Sequence, residues 1–298
     1  MNRLPFLAQR LINVPLAVHP RKAEVVMSVL AERLGIVSLT RLTGESVALK
    51  GMAFNDLTDE EFTGPGRDAD QDMGYDVVAG AAVIPITGML VQKLGAVRPY
   101  SGMTGYDSIR AAFLCAMEDD AARAVVLDID SPGGEVAGVF DLVDEIHRAR
   151  GTKPIVAILN EVAYSAAYAL ASAADRIVVP RTGAVGSVGI IMCHVDWSRA
   201  LTAAGLAVTF IQYGARKTDG AAEKPLSDEA LANFQADVDT LGDLFVETVA
   251  RNRGISPAVV RSTEAATYLG QAGVSLGLAD AVLSPDAAFR ELLESLAA

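Results

Sequence analysis

Ser165 lies in the run Asn160-Glu161-Val162-Ala163-Tyr164-Ser165-Ala166-Ala167-Tyr168, between an apolar stretch and an alanine-rich one. Residues 155–159 read as a short buried strand, and 165–174 read as a helix with almost no side-chain bulk. A serine at such a junction stands where unpaired amides and the helix dipole favour negative charge. An acyl-transfer nucleophile needs that placement if neighbouring amides are to hold an oxyanion. Serine is also a common helix N-cap, so the position alone does not establish chemistry.

Two further segments bear on it. The run Leu127-Asp128-Ile129-Asp130-Ser131-Pro132-Gly133-Gly134-Glu135 predicts a strand over 124–129, a Ser-Pro-Gly-Gly turn, and a helix over about 135–150. Paired glycines leave backbone amides bare, and bare amides beside a helix start suit an oxyanion. The run Ile211-Gln212-Tyr213-Gly214-Ala215-Arg216-Lys217-Thr218-Asp219-Gly220 predicts a strand over 207–213 that delivers Lys217 into a glycine-flanked loop. Most loop lysines are solvated charges. One desolvated in an apolar pocket can be neutral near neutral pH and act as a general base.

Together these segments resemble the S49 family of serine peptidases, the signal-peptide peptidase A family. The matching pieces are Asp130-Ser131-Pro132-Gly133-Gly134, Ala163-Tyr164-Ser165-Ala166-Ala167-Tyr168, Gly183-Ala184-Val185-Gly186-Ser187-Val188-Gly189 and Gly214-Ala215-Arg216-Lys217, spread over roughly residues 80–285. The resemblance implies a Ser-Lys dyad. Ser165 would be the nucleophile and Lys217 the base, the amides of Gly133 and Ala166 would form the oxyanion hole, and Ser187 would orient the lysine amine. It also implies a crotonase-like, Clp-protease-like fold of repeated ββα units, no metal and no cofactor. Terminal helices would pack on a neighbouring subunit, giving a ring-like homo-oligomer. The opening Leu11-Ile12-Asn13-Val14-Pro15-Leu16-Ala17-Val18-His19-Pro20-Arg21-Lys22-Ala23 and the run Cys193-His194-Val195-Asp196-Trp197-Ser198 look like the phage-encoded branch, the capsid assembly proteases. That branch acts on scaffold, portal or coat proteins, and no fused scaffold is expected after the protease pattern.

Other readings stay open at this point. His194 follows Ser165 at a distance similar to that in Clp-type triads, with Asp196 or Asp219 as the acid. Glu135 and Glu161 flank the oxyanion segments and would suit an acyl-CoA enzyme. A non-catalytic assembly factor is the third alternative. His19 and His147 read as structural or solvated.

Composition sets bounds. The chain has 298 residues, 51% of them hydrophobic, enough for a large core. Lys and Arg total 25 against 37 Asp and Glu, a net charge of −12, which argues against nucleic-acid or anionic-membrane partners. No apolar run reaches the ~18–20 residues of a membrane span, and the first ten residues are too polar for a signal peptide. Cys115 and Cys193 read as free buried thiols of a cytoplasmic protein, and no zinc-ligand spacing is present. The expected organisation is an N-terminal extension over 1–54, an acidic linker over 55–76 (where self-cleavage would be sought), a peptidase domain over 77–285 and a C-terminal helix over 286–298. An amphipathic helix is expected over 21–34. Alternating strands and helices from residue 124, with strands also over 176–179 and 187–192, predict an α/β fold with a parallel sheet. Ser227 is expected to cap a long helix with Leu231, Phe234, Val238, Leu241, Phe245 and Val249 on one face.

Overall fold

The computed structural model describes residues 10, 12–21, 72–99 and 102–297, together with the backbone of two short strands at 38–40 and 46–48. The helix expected over 21–34 and the linker expected over 55–76 lie outside the described residues, except at Arg21 and over 72–76.

In chain order the strands are β1 (Leu16–Val18), β2 (Ser38–Thr40), β3 (Ser46–Ala48), β4 (Asp76–Val78), β5 (Ala81–Thr87), β6 (Met89–Val91), β7 (Met103–Gly105), β8 (Ala124–Ser131), β9 (Gly133–Glu135), β10 (Ile155–Tyr164), β11 (Arg176–Val179), β12 (Ala184–Gly186), β13 (Thr267–Leu269) and β14 (Ala281–Val282). The helices are α1 (Tyr106–Glu118), α2 (Val139–Arg148), α3 (Ala166–Ser172), α4 (Ser198–Ala203), α5 (Asp228–Arg253), α6 (Pro257–Arg261), α7 (Gly270–Ser275) and α8 (Pro285–Ala297), with a 3₁₀ turn at Ala215–Thr218.

The main sheet runs β13-β12-β10-β8-β5-β4. Its centre, β5, β8 and β10, is parallel, as the strand–helix alternation requires. β10 is long enough to pair first with β11 and then with β12 along the same edge. Side chains alternate across these strands. Leu127, Ile129, Ala157 and Leu159 face a core shared with α1, α2, α3 and α5, while Val126, Val156 and Ile158 face α8 through Ala288 and Leu292. Both faces are covered, which explains why β8 and β10 read as nearly continuous apolar runs. Each fully buried Leu, Ile or Val contributes roughly 1.5–3 kcal/mol.

A second, four-stranded sheet runs β1-β9-β6-β7. It accounts for one departure from expectation: residues 133–135 pair as β9, so the helix expected from 135 begins only at Val139. The strand expected over 187–192 is reduced to isolated bridges, Leu16 to Ile191 and Ile12 to Cys193. The strand expected over 207–213 joins no ladder; that run is exposed, with Ile211 and Tyr213 fully so. The apolar face of α5 divides in two. Phe245 and Val249 are buried, whereas Leu231 is exposed and Phe234 and Val238 are half-buried. Ser227 caps that helix as expected, accepting from the Ala230 amide, and Gly254 ends it. The terminal helix α8 covers the second face of the main sheet, where Ala288 and Leu292 complete the second core. Cys115 is exposed, since it lies off the buried stripe Tyr106–Ile109–Ala112–Phe113–Ala116 of α1, and Cys193 is half-buried.

Candidate active site

Ser165 is the hinge residue between β10 and α3. Its backbone, φ 53° and ψ −118°, lies where L-residues are strained. The turn is clamped on both sides: its amide donates to the Gly186 carbonyl at 2.9 Å, and its carbonyl accepts from the Ala169 amide at 2.9 Å. Oγ donates to the Gly189 carbonyl at 3.3 Å. A strained serine on a sharp strand-to-helix turn is the geometry of a nucleophile elbow. The residue is fully buried.

The alanines explain how α3 can be so deep. All seven of its residues are buried, and Tyr168 turns its hydroxyl onto the Leu278 carbonyl at 2.8 Å. Such a short helix leaves its last carbonyls unpaired. Arg150 takes those of Ser172, Ala173 and Ala174 at 2.8, 2.8 and 2.6 Å, and a fourth donation goes to Asn252 at 3.0 Å. This grip fixes where the helix N-terminus, and hence Ser165, points.

Gly133 and Ala166 are close neighbours. Gly133 has φ 97°, and a β-carbon there would collide with the Ala17 carbonyl and fall 2.9 Å from the Tyr164 carbonyl and 3.1 Å from the Ala166 amide nitrogen. Only glycine fits. In this state the Gly133 amide donates to Ser131 Oγ at 3.2 Å, and that hydroxyl donates to the Gly88 carbonyl at 2.7 Å. Ser187 follows β12, whose Gly186 pairs with Tyr164, so it leaves the sheet at the level of Ser165. It is buried, with φ 56° and its amide bonded to the Ala266 carbonyl at 2.9 Å.

Among the described residues Lys217 shares no hydrogen bond with these groups. It sits exposed in the 3₁₀ turn, and among the described residues no hydrogen bond or ion pair involves its ammonium. The alternative base is engaged elsewhere: His194 Nδ1 meets Asn13 Oδ1 at 3.0 Å. Asp196 accepts from the Ser198 amide at 2.8 Å, and hydrogen bonds from the Ser198 hydroxyl and then its amide hold the Asp196 carboxyl below the usual range, while Asp219 pairs with Arg216 at 3.4 Å. The two glutamates considered for acyl-CoA chemistry are likewise taken. Glu135 accepts from Arg10 at 2.9 Å and from the Gln92 amide at 2.7 Å, and Glu161 accepts from Thr182 at 3.1 Å. Among the described residues no cluster of His, Cys, Asp or Glu could hold a metal ion, and no helix is long and apolar enough to cross a membrane.

Reasoning from single segments missed the part played by the N-terminal arm. β1 pairs with β9, and His19 stacks on Tyr164 with ring centroids 4.9 Å apart. Burial and the neighbouring Arg21 charge lower the His19 pKa, and burial raises that of Tyr164. A cavity of about 660 Å³ opens beside them, lined by His19, Arg21, Asp130, Pro132 and Tyr164 among others. The arm's sequence was visible as a motif, but its pairing partner, more than a hundred residues away, was not.

The family model described as peptidase family S49 matches residues 147–298. This range holds Ser165, Ala166, Ser187 and Lys217 and leaves Gly133 outside it. The chain is 41% identical over 95% of its length to the head-tail preconnector protein GP5 of Enterobacteria phage P21, spanning 56% of that protein. It is 38% identical over 99% of its length to the capsid assembly protease C of Escherichia phage lambda, spanning 67% of that protein. A putative protease of Methanocaldococcus jannaschii is 29% identical over 59% of this chain and 57% of its own. With the elbow serine, the Gly133–Ala166 pair and these matches in hand, the chain belongs to peptidase family S49.

Proposed function

We propose that the chain is a serine endopeptidase that processes phage head proteins, namely scaffold, portal or coat, during procapsid maturation in the host cytoplasm. The observation that carries the reading is the buried, strained Ser165 set against Gly133 and the Ala166 amide. Ser165 Oγ attacks the substrate carbonyl, the oxyanion rests on the amides of Gly133 and Ala166, and Lys217 passes the serine proton to the amine that departs as the peptide C–N bond breaks; Lys217 then takes a proton from the water that hydrolyses the Ser165 ester. Ser187 orients the amine. Similarity to two phage head proteins, one named a capsid assembly protease, supports the substrate class. In this reading 77–285 forms the peptidase domain on a crotonase-like plan, flanked by the 1–54 extension, the 55–76 linker and the terminal helix.

The reading requires the exposed Lys217 to reach the buried serine. The segment that carries it exposes Leu206, Val208, Ile211 and Tyr213. A homo-oligomer would give those side chains a surface and bring Lys217 into a site. The test is labelling with a serine-reactive fluorophosphonate, with the modified residue found by mass spectrometry, as a function of protein concentration. Labelling at Ser165 that increases as the chain assembles supports the reading; absence of labelling at every concentration refutes it.

A further inference from the structure

The short strand β1 has backbone partners on both edges. On one side Leu16, Ala17 and Val18 run antiparallel to Glu135, Gly134 and Gly133, and the His19 amide donates to the Pro132 carbonyl at 2.8 Å. On the other side Leu16 and Ile191 exchange both amide bonds, at 2.8 and 2.9 Å. Leu16 and Val18 turn into a small apolar cluster with Met89, Ile191 and Cys193, while Ala17 turns into the main core. The strand therefore fills a groove whose walls are the oxyanion strand β9 and the run that follows Ser187. It ends with His19 stacked on Tyr164, the residue before the nucleophile. An extended polypeptide presented to Ser165 would take backbone bonds in this same manner, by strand addition.

The serine is fully buried in this state, and the Ala17 carbonyl lies against Gly133, one of the two residues meant to receive the oxyanion. A protein substrate cannot occupy a groove already bonded along both edges. We propose that β1 is the resident occupant of the substrate groove, an intramolecular stand-in for substrate, and that it must unpair from β9 and Ile191 before another chain is cut. The inference rests on the reading of Ser165 as a peptidase nucleophile.

The arm is also tied to the base loop. Asn13 donates from Nδ2 to the Gly220 carbonyl at 2.8 Å, three residues beyond Lys217, and its Oδ1 meets His194. Arg10 holds Glu135 at the end of β9. Release of the arm thus frees the segment that carries Lys217, so opening the groove and seating the base would occur together.

The test locks the arm. Residues 16 and 191 form a doubly hydrogen-bonded antiparallel pair, a geometry with Cα atoms ~5.5 Å apart that accepts a disulfide. Leu16→Cys with Ile191→Cys is made in a Cys115→Ala, Cys193→Ala chain and assayed on unfolded casein, oxidised and reduced. The expected result is cleavage lower by about tenfold or more in the oxidised sample, restored by dithiothreitol. Equal cleavage in both states overturns the inference and leaves the peptidase reading standing. No cleavage in either state, with no fluorophosphonate labelling of Ser165 in the wild-type chain, removes the peptidase reading and the inference with it. A second variant, Val18→Asp, places a charge among Met89, Ile191 and Cys193 to expel the arm without touching the serine. Casein cleavage should rise severalfold over the wild type, and an unchanged rate in a chain whose residues 16–18 have lost hydrogen-exchange protection counts against the inference.

Discussion

Ser165 and Ser187 leave neighbouring parallel strands at the same level, and both do so with positive φ, 53° and 56°. The amide of Ser165 is bonded to the carbonyl of Gly186, the residue just before Ser187. Two strained serines side by side at strand ends mark this edge of the sheet as a built site, since strain of this kind persists only where the surroundings enforce it. Replacing either with glycine should relieve it. Ser165→Gly and Ser187→Gly are each expected to raise stability by about 1 kcal/mol in thermal or urea unfolding. Ser165→Gly should at the same time abolish fluorophosphonate labelling. Unchanged or lowered stability in both variants would show that the turns are not strained.

Gly133→Ala should do the reverse. Its β-carbon has no room beside the carbonyls of Ala17 and Tyr164, and φ 97° is itself unfavourable for alanine. The expected loss is roughly 2 kcal/mol or more, with hydrolysis falling further than stability alone explains because the oxyanion pair is displaced. Urea unfolding and casein hydrolysis measure the two effects separately.

Arg150 supports the nucleophile from the far end of its helix. Its guanidinium takes the carbonyls of Ser172, Ala173 and Ala174 at the end of α3. Arg150→Met keeps the aliphatic stem and leaves those buried acceptors unpaired, a loss expected at about 2–3 kcal/mol. Chemical denaturation checks it. A loss under half a kcal/mol would mean that water replaces the guanidinium.

The base can be assigned by comparing two variants. Under the dyad reading Lys217→Ala abolishes labelling of Ser165 while His194→Ala, which removes a ring whose Nδ1 meets Asn13 Oδ1, retains it. The opposite pattern would move the chain to a Ser-His mechanism.

What could be read in advance follows from where the determining contacts lie. Strand β10, Ser165 and helix α3 are contiguous, and an apolar run, a turn residue and an alanine stretch declare themselves locally. So do the Ser227 and Gly254 ends of α5, where cap chemistry acts within a few residues. The pairing of β1 with β9 could not be read this way, because three residues carry little periodicity and their partners lie far along the chain. The run 207–213 has strand composition, yet strand formation needs a neighbouring edge, and among the described residues none is paired with it. The contrast between exposed Lys217 and buried Ser165 has the same origin: residue types fix what each could do, but not which surface brings them together.

His19 gives the arm a pH dependence. Its ring stacks on Tyr164 beside Arg21, with Asp130 on the wall of the same cavity, and burial together with the Arg21 charge lowers its pKa below the ordinary 6.5. The docked arm therefore favours neutral imidazole. Above the ordinary value both docked and released arms are neutral and docking is unaffected. As pH falls below it, the released arm takes up a proton before the docked one does, so release gains in stability. Hydrogen exchange at Leu16–Val18 should thus be faster, relative to the chain's intrinsic rate, at pH 5 than at pH 7.5. In His19→Gln this acid acceleration should disappear while the neutral-pH protection remains, and an acceleration that survives the substitution would assign the effect to another group.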